Sequence, residues 1–145
     1  MLIWGVDNVR ETAMKVAYIM RGLPGSGKTT IARAVAGSNG VIHSTDDYFY
    51  VDGEYRFVGE KVKEYHALNR QAFADSIARG KEIVVCDNTN VKNAHWEPYA
   101  KIAREAGYLV AVVTMPHPTL EEALARNTHN APACDIRHMM DEWEN

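Results

Sequence analysis

The stretch Gly22-Leu23-Pro24-Gly25-Ser26-Gly27-Lys28-Thr29 satisfies the pattern G-x-x-x-x-G-K-[ST] at each constrained position. It stands between an apolar run at 16–20, read as a strand, and a helical pattern over Lys28–Ala36 that stops before Gly37 and Gly40. Strand, glycine loop and helix in that order are the context the pattern requires. Glycines at 22, 25 and 27 let the backbone curl until successive N–H groups face inward as an anion nest. The helix beginning near Lys28 adds its positive dipole end to that nest. Lys28 supplies a mobile positive charge for outer phosphates, and the Thr29 hydroxyl suits Mg²⁺. The expected phosphate contacts are Gly22, Leu23, Pro24, Gly25, Ser26, Gly27, Lys28, Thr29 and Thr30.

Outward from the loop, apolar runs alternate with helical patterns. Strands are expected at 41–43, 83–86 and 108–113, and a long helix over 60–79 with Val62, Tyr65, Asn69, Phe73 and Ile77 on one stripe. A helix ends before Gly107, with Pro98 in its first turn or kinking it if it starts earlier. Thr119-x-x-Glu122 is a capping box opening a helix to about Arg126, and Ile136, Met139, Met140 and Trp143 give a last helix one apolar face. Residues 48–59 are aromatic and turn-rich, with a tight turn at Asp52-Gly53. Strands separated by helices imply a parallel sheet whose carboxyl ends share one edge, where ligands bind. The loop at 22–29, Asp46, Asp87 and the segment 116–118 each follow a strand and are expected to converge there.

Length and composition narrow the class. The chain has 145 residues, 46% apolar and 24% charged, which fits one α/β domain and excludes a disordered chain. Sixteen Lys/Arg against nineteen Asp/Glu, net −3, exclude nucleic-acid binding by bulk charge. No apolar run is long enough to span a membrane. Two cysteines, Cys86 and Cys134, and no secretory pattern at the amino end lead to an expected cytoplasmic location. Residues 1–15 read as an N-terminal extension and 16–145 as the domain, with Met14 an alternative start.

Among proteins with this loop, a GTPase would need Asn-Lys-x-Asp, which does not occur, and the chain is too short for helicase cores. A small kinase fits. Asp46 and Asp47 directly follow the second strand, where a carboxylate can take the proton of an attacking hydroxyl; the alternative is that they cap a turn. Asp87 ends the third strand and either holds Mg²⁺ or, with Asn88 and Asn90, pins a loop. Arg126 opens the polar segment 127–132, as a lid arginine does, or is an ordinary helix-end charge. Asn69, near His66 on the long helix, is either a satisfied core amide or a group facing an acceptor; Trp96, Tyr99, Ala103 and Trp143 read as core.

Four segments together resemble one family: Arg21 through Thr30, Ser44-Thr45-Asp46-Asp47-Tyr48-Phe49, Val85-Cys86-Asp87-Asn88-Thr89-Asn90, and Arg126-Asn127-x-His129, with a terminal Trp143-Glu144. They are similar to P-loop kinase-like, AAA-type ATP-binding domains related to NEDD4-binding protein 2-like proteins and to the 5′-kinase domain of polynucleotide kinases. The resemblance runs from 16 to 144. It implies a three-layer P-loop fold with strand order 2-3-1-4, ATP with Mg²⁺, and phosphate transfer to a hydroxyl, with Asp46 as general base and Arg126 as lid arginine. Two departures stand out. Phe49 occupies the place of an arginine that holds the acceptor's phosphate, and His129 and Asn130 are nearest to a second basic lid residue. The expected acceptor is a nucleic-acid 5′ end or a nucleotide; a small-molecule kinase and a non-catalytic ATP-binding module are the alternatives. Tyr48, Phe49 and Tyr50 either stack a nucleobase or pack beneath the segment.

Overall fold

The computed structural model describes residues 14–126 and 131–145. Except for Met14 and Lys15, the expected N-terminal extension lies outside them, as do residues 127–130 of the polar segment expected to act as a lid. The elements in chain order are β1 (Val16–Arg21), α1 (Lys28–Ala36), β2 (Val41–His43), a 3₁₀ turn (Thr45–Phe49), β3 (Tyr50–Val51) and β4 (Glu54–Tyr55). After a 3₁₀ turn at Gly59–Lys61 come α2 (Val62–Ala78), β5 (Ile83–Asp87), α3 (Asn93–Glu105), β6 (Leu109–Thr114), α4 (Leu120–Ala125) and α5 (Ala133–Glu142).

The main sheet is parallel in the order β2-β5-β1-β6. Counting its four strands alone, this is the 2-3-1-4 order expected. β1 lies between β5 and β6, with Ile19 opposite both Cys86 and Val112. Strand alternation sends Ala17, Ile19, Val84 and Cys86 to one face, where Phe73 and Ile77 of α2 and Tyr99, Ala100 and Ala103 of α3 cover them. Met20 and Val85 face the other way onto Ala32 and Ala36 of α1. Helices therefore flank the sheet on both faces, which makes the loops at its carboxyl edge the open surface.

Several local readings need correction. Residues 50–55 form a small hairpin, with Tyr50 opposite Tyr55 and Val51 opposite Glu54. Asp52 (φ 50°) and Gly53 (φ 82°) are both left-handed, as a two-residue hairpin turn demands. Strands of two residues are too short to leave a period-two pattern, so the turn was legible and the strands were not. Pro98 is the sixth residue of α3, beyond its first turn, because the helix starts at Asn93. Trp143 follows the end of α5 and covers Arg21 instead of joining the core. Trp96 is half-buried and flanks the same guanidinium.

Arg21 explains that departure. Its side chain is buried, with the guanidinium 5.6 Å from the Trp96 ring centre and 4.7 Å from that of Trp143. It donates to the carbonyls of Asn90 (2.9 Å), Val91 (3.1 Å) and Glu144. A charge taken from water is tolerable only when its donors are used in this way. Glu144 N–H in turn donates to the Val91 carbonyl at 3.0 Å, so Arg21 fastens the C-terminal segment to the loop after β5.

Candidate functional site

The carboxyl edge of the sheet opens into one cavity of about 1020 Å³. The glycine loop forms its floor. Gly27 (φ 87°) caps α1 in a left-handed conformation with no side-chain cap, and the first turn Lys28-Thr29-Thr30 carries no acid. The first amides of α1 therefore lack side-chain acceptors at a positive dipole end, the arrangement that binds phosphate. Pro24, Gly25, Ser26, Gly27, Lys28, Thr29 and Thr30 line the cavity. Gly22 and Leu23, both buried, lie beneath it; the Leu23 carbonyl accepts from Ser26 N–H at 3.1 Å and shapes the turn.

Gly25 is fixed by its neighbour as well as by its backbone. Its φ is 79°, and a Cβ there would stand 2.9 Å from the Ala123 carbonyl oxygen. The α4 backbone thus rests directly on the phosphate loop. The capping box holds that helix: Glu122 N–H donates to Thr119 Oγ1 at 3.1 Å, and Thr119 N–H to Glu122 Oε1 at 3.2 Å. Arg126 then ends α4 with its guanidinium on the loop, Nη1 donating to the Gly25 carbonyl and Nη2 to Glu122 Oε2, both at 3.3 Å. It is a helix-end charge and a cavity residue at once.

Thr29 Oγ1 donates to Asp87 Oδ2 at 3.0 Å, joining α1 to the end of β5. Asp87 is buried, and its Oδ1 has no hydrogen-bond partner among the described residues. A buried carboxylate with one idle oxygen beside a threonine hydroxyl is a hard-oxygen donor set, and these residues fit Mg²⁺. Ser26 Oγ is likewise buried without a partner. Asn88 and Asn90 do pin the loop, as one reading held. Asn88 Oδ1 accepts from Thr45 N–H at 2.9 Å, and Asn90 Nδ2 donates to the Met20 carbonyl at 2.7 Å.

Across the floor, Asp46 and Asp47 sit in the 3₁₀ turn and line the cavity. They occupy the first turn of that short helix, whose N-cap is Ser44 with no side-chain cap hydrogen bond, so the pair lines the cavity and does not cap the turn. The hairpin folds Tyr55 back beside Asp46. Burial, with the Asp46 charge and hydrogen bond added, pushes the Tyr55 hydroxyl up to about 12. His66 Nδ1 lies 3.0 Å from Thr45 Oγ1; desolvation, helped by His95, holds its ring below the usual histidine range against the opposing pull of Asp46. Asn69 is a core amide, donating to Tyr99 Oη at 3.0 Å and to the His43 carbonyl at 3.4 Å, and it does not reach the cavity.

The segment 116–118 does not line the cavity, contrary to the expected convergence. His117 packs against Trp143 instead, ring centres 4.4 Å apart. Its place is taken by α5, whose Asp135, His138 and Met139 form a wall that the sequence reading missed. Tyr55 was missed too. The Asp52-Gly53 signal pointed to a chain reversal that returns this segment to Asp46.

Comparison with known proteins agrees with this architecture. Human NEDD4-binding protein 2 is 32% identical over 134 residues, a match that covers 89% of this chain and 8% of that protein. A chain of the Pnkp1/Rnl/Hen1 RNA repair complex has a similar fold, with TM-score 0.69 and 17% identity over 89% of this chain and 44% of its own. A gluconokinase from Sinorhizobium meliloti 1021 is similar at TM-score 0.60 and 16% identity, over 92% of this chain and 76% of its own. A family model described as AAA domain matches residues 18–144, from β1 to the segment after α5, and the chain belongs to that family.

Proposed function

We propose that this domain is an ATP-dependent phosphotransferase that moves the γ-phosphate to a hydroxyl, of the polynucleotide 5′-hydroxyl kinase type. The observation that carries the reading is the shared cavity. A phosphate loop, a carboxylate pair after β2, the Thr29–Asp87 pair and Arg126 all meet in it. The Pnkp1 and gluconokinase structures support the fold class; the polynucleotide acceptor rests on the resemblance of the four sequence segments.

In this reading the loop amides and Lys28 hold the β- and γ-phosphates. Thr29 and Asp87 would hold Mg²⁺, which when bound neutralises charge on those phosphates. Asp46 accepts the proton of the acceptor hydroxyl as its oxygen bonds to the γ-phosphorus. The bond from that phosphorus to the β,γ-bridging oxygen breaks, and ADP leaves with the electron pair. Lys28 and Arg126 stabilise charge on the transferred group, Arg126 exchanging the Gly25 carbonyl for a phosphate oxygen.

One observation favours a small-molecule acceptor as the second reading. Phe49 stands where a phosphate-holding arginine is expected, and its ring is buried against Tyr65, centres 4.7 Å apart. The test is transfer from labelled ATP with Mg²⁺ to a panel of 5′-hydroxyl DNA and RNA, nucleosides and sugar acids, with Lys28→Ala as the blank. Labelled oligonucleotides in the wild type alone support the first reading, and a labelled small acceptor alone supports the second. ATP binding with no transfer to any acceptor leaves a nucleotide-binding module.

A further inference from the structure

The half of the cavity beyond Asp46 is built from rings. Phe49, 4% exposed, is a hub whose ring centre lies 6.0 Å from that of Tyr55, 5.2 Å from Phe57 and 4.7 Å from Tyr65. Tyr50 meets Tyr55 edge-on at 5.4 Å. The buried hub cannot offer a face to a ligand, which corrects one of the stacking residues expected from sequence. Tyr50 and Phe57 can: they are 44% and 62% exposed and both line the cavity. A ring exposed on a cavity wall offers its face to a planar ligand.

Charge selects the occupant. Among the described residues lining the cavity, the lysines and arginines are Lys28, Arg33 and Arg126. They belong to α1 and to the end of α4, and none of them to the segment 44–66 that carries the rings. That segment lines the cavity with Asp46, Asp47, Thr45 and His66 beside the rings, so among the described residues it brings no lysine or arginine to compensate a phosphate's charge. Sugars are held by networks of polar side chains; here Thr45 and His66 are already engaged with each other at 3.0 Å. A flat, neutral ring carrying a hydroxyl on a short arm fits both features.

We infer that Tyr50 and Phe57 form a nucleobase-stacking subsite, which directs the hydroxyl of a nucleoside or of a 5′-terminal nucleotide toward Asp46. Recognition is by ring face, so it tolerates different bases, and affinity comes from stacking instead of phosphate contacts. This rests on the proposed phosphotransferase reading for the role of Asp46, but the subsite is a binding claim and is tested as one.

The experiment is calorimetric titration of 5′-hydroxyl dithymidylate, and of thymidine, into the protein saturated with a non-hydrolysable ATP analogue. Phe57→Ala and Tyr50→Ala are expected to weaken both probes about 5- to 150-fold, the range of one lost base–aromatic stack. Phe57→Leu, which keeps apolar area without a ring face, is expected to weaken them as well. Val58→Ala, an exposed neighbour that does not line the cavity, is expected to match wild type. Asp46→Asn is expected to bind both probes while failing to phosphorylate them. Equal affinity in wild type and both ring variants, no binding of either probe, or binding of a sugar acid in their place would overturn the subsite. Binding that depends on Phe57, with no phosphate transferred by wild type, would leave the subsite standing and remove the phosphotransferase reading.

Discussion

The Thr29 hydroxyl donates to Asp87 Oδ2 at 3.0 Å across 58 residues of chain, leaving Asp87 Oδ1 buried and unpartnered. This contact sets the phosphate loop against the end of β5. A lone buried carboxylate oxygen is expensive without a cation or donor to meet it. If Mg²⁺ meets it, Asp87→Asn raises the Mg²⁺ concentration for half-maximal transfer by about 10- to 100-fold, the range for groups that support a bound metal. A Mg²⁺ titration at fixed ATP checks this, and an unchanged midpoint assigns Asp87 to loop structure alone.

Asp46→Asn keeps the shape of the side chain and removes its basicity. Turnover is expected to fall by about 10²- to 10⁴-fold, with ATP affinity within twofold of wild type. Steady-state kinetics beside nucleotide binding separates the two effects. A loss in ATP affinity alone would place Asp46 with the nucleotide and not with the acceptor.

Tyr55 is expected to position that carboxylate. With its hydroxyl pushed up to about 12, mainly by burial, it stays a protonated donor across any workable assay range. The rate therefore shows no alkaline limb from Tyr55 below about pH 11. Tyr55→Phe lowers kcat by about 2- to 13-fold, the worth of one hydrogen bond, with ATP affinity unchanged. Steady-state kinetics beside ATP binding checks this, and an unchanged kcat would reduce Tyr55 to packing.

Arg21→Met removes the donors to the Asn90, Val91 and Glu144 carbonyls while keeping an apolar stem between Trp96 and Trp143. The buried Asn90 carbonyl is orphaned while Val91 keeps Glu144 N–H, and an orphaned acceptor costs roughly 1–3 kcal/mol, so a loss of that size is expected in urea unfolding. Trp143→Ala uncovers the same guanidinium and is expected to loosen the C-terminal segment in hydrogen exchange. A stability change below ~0.5 kcal/mol for Arg21→Met would contradict the role given to this residue.

Acidification adds an independent test. His43, His66 and His95 are all held below the usual histidine value of 6.5, with desolvation the largest cause in each. A group whose folded pKa is depressed binds fewer protons folded than unfolded, so its contribution is complete above about pH 6.5 and is lost as pH falls below it. Urea midpoints are expected to drop between pH 7.5 and pH 5.5, and His43→Gln is expected to flatten that dependence. His43 Nε2 lies 2.8 Å from Ser76 Oγ, a contact that the amide can imitate.

What the residues alone determined is local chemistry and its order along the chain. A G-x-x-x-x-G-K-[ST] run between strand and helix carries its own geometry, because left-handed glycines and a helix start are encoded within a few residues. The capping box at Thr119 and the turn at Asp52-Gly53 are equally short-range, and the alternation of strands and helices gave the sheet its class, while its strand order was implied by the family resemblance. Contacts between distant segments were decided only by the packed structure. It buried Phe49 as a hub, brought Tyr55 beside Asp46, seated Arg126 on the Gly25 carbonyl and put α5 where residues 116–118 were expected. The same amphipathic pattern allowed Asn69 to face a ligand or a tyrosine, and Trp143 to fill the core or cover an arginine. Periodicity says which side of an element is covered; what covers it depends on how side chains from separate elements fill the same volume, and that choice exists only once the chain is folded.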